Sequence, residues 1–129
     1  MIVLDTHIWL WWVNDEHQAL SEYRRELLGY ADVVAVSAMS CFEVSWLERH
    51  GRIELPLPRE VWFEKALQGS GITLIPVTLP IASLAVDIPE HHKDPQDRMI
   101  IATSIVYDAL LMSDDRRFPL YDELVNRLV

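Results

Sequence analysis

An α/β fold with a mainly parallel central sheet is predicted by three observations. Four short apolar runs, Met1 to Leu4, Val33 to Val36, Ile72 to Val77 and Leu110 to Met112, read as strands. Segments with helical caps and stops separate them, and the alternation of strands with helices predicts a three-layer α/β/α arrangement. Carboxylates stand directly after the first and last runs, Asp5 and Asp115. In open parallel sheets binding groups collect there, beyond the carboxyl ends of strands at a switch in strand order.

The first run has no helical period and ends on Asp5, a costly choice at the rim of a core unless a cation or several donors meet it. Thr6 can then cap a helix from His7 to Val13. Its tryptophans diverge: at 100° per residue Trp9 and Trp12 point one way and Trp11 roughly opposite, which suggests a contact on a second side, in a subunit or partner interface. Ser21 as cap and Gly29 as stop delimit a second helix. After the second strand, Ser37 opens a helix through Met39, Phe42, Glu43, Trp46 and Arg49 that Gly51 ends. Glu43 lies on the flank of its apolar stripe, as a salt-bridged residue or as a ligand.

Pro58 suits the start of a helix through Trp62, Phe63, Ala66 and Leu67, ended by Gly69. The third strand is near an edge or ends early, because Pro76 lacks a donor. Thr78 and Pro80 begin a helix over Ile81 to Val86, and Pro89 closes that region. Asp94-Pro95-Gln96-Asp97 reads as an N-cap, a first-turn proline and an acidic third position, opening a helix through Val106. Tyr121 to Val129 fits a helix or a turn and short strand.

A chain of 129 residues corresponds to one domain, residues 1–129, burying roughly two thirds of its unfolded surface. Half of it is hydrophobic with only four glycines, which argues against disorder. The apolar run Ile8 to Val13 is far shorter than the ~20 residues of a membrane span and has no basic flank, so no membrane partner and a cytoplasmic location are expected. The single Cys41 excludes an intrachain disulfide and fits a reducing compartment, with small-residue packing on a helix as its role. Net charge is −9, from 11 basic and 20 acidic side chains, which argues against a broad phosphate-binding face. Nucleic acid is not thereby excluded, because carboxylates gathered around divalent cations present local positive charge to a phosphodiester. The same acidity suits a basic protein partner.

Singly, the acids are ordinary. Asp94 is explained as a helix cap, Asp97 as a first-turn acid complementing the helix dipole, and Asp114 as a solvated turn residue. Jointly, four carboxylates from separate elements on one rim repel one another unless they are partly protonated or hold a cation. Oxygen donors without a nearby cysteine or histidines at ligand spacing select Mg²⁺ or Mn²⁺ over zinc. His91 and His92 flank this region, but loop neighbours in sequence are poor joint ligands.

At these residues the chain resembles a known family. The stretches Leu4 to His7 with Leu10-Trp11-Trp12, Val36 to Val44, His92 to Ala102 and Leu111 to Phe118 look like the four blocks of the PIN-domain ribonucleases, and within them the VapC-type toxins of toxin-antitoxin modules. The resemblance implies a PIN-like fold and a metal-binding, catalytic quartet of Asp5, Glu43, Asp97 and Asp115. Thr6 and Ser113 match supporting hydroxyls, and Asp94 an accessory acid. It implies in-line hydrolysis of RNA with Mg²⁺ or Mn²⁺, Glu43 lying closer to the attacking water, together with homodimers and a cognate antitoxin over the acidic groove. Phe42 replaces a frequent indole, and Ser113-Asp114-Asp115 the usual Thr-x-Asp, so Asp114 either shares or disturbs the role of Asp115. Lys93, Arg98, Arg116 and Arg117 cluster by sequence around the site, as phosphate contacts or as surface ion pairs. Two competing readings are a phosphotransfer domain with Asp5 as acceptor, which lacks a second acid beside Asp5 and a lysine after a late strand, and a non-catalytic interaction module using the tryptophan-rich helix.

Overall fold

The computed structural model describes residues 1–129, with His17 described by its backbone alone. Strands β1 (Ile2–Leu4), β2 (Val34–Ser37), β3 (Ile72–Ile75) and β4 (Leu110–Met112) form one sheet in the order β3-β2-β1-β4. Every pairing is parallel, with Ile2 opposite both Val34 and Leu110. The chain steps outward from β1 through β2 to β3, then crosses back to lay β4 on the far side of β1. The switch in strand order therefore falls between β1 and β4, at the end where Asp5 and Asp115 emerge.

Alternation along β1 serves two cores. Val3 faces α5 (Leu79–Asp87) and α6 (Pro95–Val106), packing with Ile81, Ala85, Ile101 and Leu111. Ile2 and Leu4 face the opposite layer of α1 (Thr6–Val13), α2 (Glu22–Tyr30), α3 (Ala38–Arg49) and α4 (Arg59–Ala66), where Trp9, Leu28, Val44 and Trp62 are buried. The strands are apolar on both sides because helices cover both sides. The two buried indoles are also satisfied as donors: Trp9 Nε1 reaches the Ala66 carbonyl at 3.0 Å and Trp62 Nε1 reaches Asn14 Oδ1 at 2.8 Å.

Several boundaries differ from expectation for local reasons. Asp5, not Thr6, is the N-cap of α1, its Oδ1 accepting the Thr6 N–H at 2.8 Å. Gly29 lies inside α2, which continues to Tyr30, and the chain beyond α4 turns at Gly71 (φ 67°) instead of Gly69. Gly51, with φ 68°, follows α3 as anticipated, in a left-handed conformation that glycine adopts without Cβ strain. β3 is an edge strand, as Pro76 suggested. The tail is neither a helix nor a full strand. Turns at Phe118–Leu120 and Asp122–Leu124 lead to one parallel bridge between Leu128 and Leu111.

Trp11 and Trp12 are both partly buried against the second core, and Trp11 also reaches the rim of the acidic cleft described below. Among the described residues no helix is long and apolar enough to cross a membrane.

Candidate active site

Each acidic side chain is delivered by the start or end of a regular element. Asp5 leaves β1 and caps α1; its second oxygen, Oδ2, accepts a hydrogen bond from Ser113 Oγ at 2.7 Å. The same Ser113 oxygen accepts the Asp115 N–H at 3.0 Å, so one hydroxyl ties the ends of β1 and β4 together. Asp115 Oδ1 in turn accepts the Arg117 N–H at 2.8 Å. Glu43 projects from the second turn of α3, where the Thr6 hydroxyl bonds to it; that hydroxyl also lies 2.9 Å from Ser40 Oγ. Asp97 is the third residue of α6, whose N-cap is Asp94 with Oδ1 accepting the Gln96 N–H at 2.9 Å. Asp5, Glu43, Asp97 and Asp115 line one cleft of about 300 Å³, with His7, Trp11 and Asp114 at its margin.

The cleft is electrostatically unfavourable without a cation. Burial, followed by the charges of Asp5, Asp94, Glu43 and Asp115, pushes the Asp97 carboxyl up to about 8. Burial also raises Asp5, against the hydrogen bonds from Ser113 and Thr6 that favour its charged form, and raises Glu43 against the Thr6 hydroxyl. Three carboxyls displaced toward protonation in one cleft is the response expected when like charges are crowded out of water. The cleft's acidic donors are carboxylate oxygens, which suit a hard divalent cation, and the His92 ring nitrogen lies with those of Asp97 and Asp115 in one group of possible ligand atoms.

His92 belongs to this cluster, although as one of two loop neighbours it carried little functional signal in the sequence. Its side chain is buried, and Nε2 lies 3.0 Å from both Asp97 Oδ2 and Asp115 Oδ2. His91 turns away, its ring edge-on to Tyr121 at 4.9 Å. The available clue was position: His92 stands two residues before the cap of α6 and so reaches the first turn that carries Asp97.

Arg98 corrects an expectation. Grouped with the RNA-facing basic residues, it is instead buried with every side-chain donor on a backbone carbonyl. Nε donates to Ala85 (2.8 Å), Nη1 to Pro89 (2.9 Å) and His92 (3.0 Å), and Nη2 to Val86 (3.1 Å) and Ile88 (2.8 Å). It caps the carboxyl end of α5 and anchors the loop to His92, leaving no donor for a phosphate. Lys93, Arg116 and Arg117 are exposed. Asp114, at the cleft margin, is paired with Arg24, whose Nη1 lies 2.5 Å from Asp114 Oδ1 while Nη2 donates to the Ser113 carbonyl at 3.0 Å and to that of Val129 at 3.1 Å.

Comparison with known proteins identifies the class to which this fold and cleft belong. The PIN domain family matches residues 2–124. Ribonuclease VapC22 of Mycobacterium tuberculosis is 35% identical over 117 residues, covering 90% of this chain and 88% of the relative. Among solved structures, VapBC2 from Rickettsia felis bound to a promoter DNA fragment superposes with a TM-score of 0.72 at 18% identity, covering all of this chain and 98% of that one. A toxin-antitoxin complex from Klebsiella pneumoniae superposes with a TM-score of 0.64 at 16% identity, covering all of this chain and 96% of that one. The chain belongs to the PIN-domain family and, within it, to the VapC-type ribonucleases.

Proposed function

We propose that this protein is a metal-dependent endoribonuclease, the toxin of a toxin-antitoxin pair, which hydrolyses RNA phosphodiesters in the cleft of Asp5, Glu43, Asp97 and Asp115. The observation that carries the reading is the crowding of buried Asp5 with half-buried Glu43, Asp97 and Asp115 in one cleft, where burial and neighbouring negative charges raise Asp97 to about 8. Asp5, Asp97 and Asp115 would hold Mg²⁺ or Mn²⁺, and Glu43, bonded by Thr6, would act on the attacking water. When bound, the cation supplies Lewis acidity, making water a better nucleophile and offsetting charge on the phosphoryl oxygens.

The chain's own groups orient the reaction. Ser113 holds Asp5 and the backbone of Asp115 in one frame, and Thr6 fixes Glu43. Asp94 acts from outside, capping α6 and adding negative charge beside Asp97 and Glu43. Lys93, Arg116 and Arg117 meet the RNA backbone. An antitoxin segment covers the cleft, favoured by the net charge of −9 and by the exposed aromatic pair Phe42 and Trp46 flanking Glu43 on α3. Two copies assemble as a homodimer in the cytoplasm.

The test is sequencing of RNA ends after controlled expression of the wild type beside Asp97→Asn. A cleavage site present only with the wild type supports the reading and identifies the target. Identical RNA ends in both, from soluble folded protein, overturn it.

A further inference from the structure

His92 stands against two carboxylates of the acidic cleft, and the hydrogen bonds around it define which ring nitrogen does what. The backbone N–H of Asp94 points at Nδ1 from 3.3 Å. A backbone N–H can only donate, so Nδ1 presents its lone pair and the ring proton resides on Nε2. Nε2 hydrogen-bonds Asp115 Oδ2 at 3.0 Å, and Asp97 Oδ2 lies 3.0 Å from the same nitrogen. An imidazole that ligates a cation has the reverse arrangement, with its free lone pair on the metal and its other nitrogen donating to an acceptor.

We infer that His92 is a positioning residue of the metal centre: its Nε2 hydrogen-bonds Asp115 Oδ2 while standing 3.0 Å from Asp97 Oδ2, and so sets the angle at which these two carboxylates face the cleft. The inference rests on the cation-dependent reading above. His92 is held on three further sides, its N–H by the Tyr121 hydroxyl at 2.9 Å, its carbonyl by Arg98 Nη1 at 3.0 Å, and its ring edge by Phe118 at 6.1 Å between centroids. Asp97 comes from α6 and Asp115 from the segment after β4, so without this bridge the two carboxylates share no direct protein contact shown by the structure. His92 thus does for α6 and β4 what Ser113 does for β1 and β4.

The test compares His92→Gln, which returns an N–H donor near the Nε2 position, with His92→Asn, which places one near Nδ1 instead. Mn²⁺ is titrated into chelator-stripped full-length protein and the free ion is followed by electron paramagnetic resonance; thermal unfolding is recorded without metal. Binding within about threefold of wild type for Gln, and about 10–100-fold weaker for Asn at similar metal-free stability, is the expected result. Wild-type affinity in the Asn variant overturns the inference. So does a directly coordinated imidazole nitrogen in the electron spin-echo modulation of the wild-type Mn²⁺ complex, which would make His92 a ligand. Should the Asn variant not fold, the Gln variant decides: retained affinity supports the bridge and a tenfold loss overturns it. If the wild type itself binds no Mn²⁺, the cation-dependent function falls and this inference with it, an outcome distinct from the others.

Discussion

Asp97→Asn should make the metal-free protein more stable while destroying its chemistry. Because the folded-state value of Asp97 lies at about 8 against an ordinary 3.8, the native state binds a proton that the unfolded chain has lost throughout that interval. Stability therefore falls as pH rises from about 4 to about 8, by ~1.4 kcal/mol per pH unit for a single group. At pH 7 the full displacement corresponds to an upper bound of about 4 kcal/mol. The side chain keeps 16% of its exposure, so water screens part of the repulsion and roughly 2–3 kcal/mol is a sounder expectation. Asparagine carries no such burden and can still accept from His92. For a domain of this size the gain is a rise in melting temperature of roughly 5–12 °C. Calorimetry in chelator from pH 4 to 8.5 should show the two curves coincident at the acid end and diverging upward in pH. Added Mn²⁺ should then raise the wild type far more than the variant. A variant equal to or less stable than wild type at pH 8 without metal would show that the cleft is not under electrostatic strain.

Three further outcomes follow from the same geometry. Asp5→Asn should retain the fold by circular dichroism and lose at least about 100-fold in RNA cleavage, the scale of removing one transition-state electrostatic contact; near-wild-type turnover in purified protein would contradict its role. Arg98→Met should cost about 3–5 kcal/mol in urea unfolding, because it strands the carbonyls at the end of α5, and a loss below about 1 kcal/mol would place those carbonyls in water instead. Ser113→Ala should weaken Mn²⁺ binding about 10–100-fold by calorimetry while Asp114→Ala changes it less than about threefold; the opposite ranking would return Asp114 to the metal centre.

The sheet was legible because its strands are buried on both faces and so are written as unbroken apolar runs, and because Asp-Pro at a helix start has few other uses. Asp5, Glu43, Asp97 and Asp115 could be gathered from their positions after strands and in early helical turns, which a parallel sheet brings to one end. Non-local partners left no such trace. Arg24 reaches Asp114 across 90 positions and His92 reaches Asp115 across 23, and neither spacing has a local period to betray it. Arg98 was misread for a related reason. Its charge is visible in the sequence, but the carbonyls that consume it belong to the end of a different helix. The divergence of Trp9 and Trp11 was legible from the helical period, but the pattern alone did not say that Trp11 borders the cleft.

The neighbouring placement of β1 and β4 has a bearing on synthesis. A ribosome releases Asp5 and Glu43 early, but the hydroxyl that clasps Asp5 lies 108 positions downstream. Until that late segment emerges, the first strand lacks a neighbour on one side and the acidic cleft lacks Asp115. A nascent chain that stops short of Ser113 and Asp115 therefore lacks the groups that join β1 to β4 across the cleft.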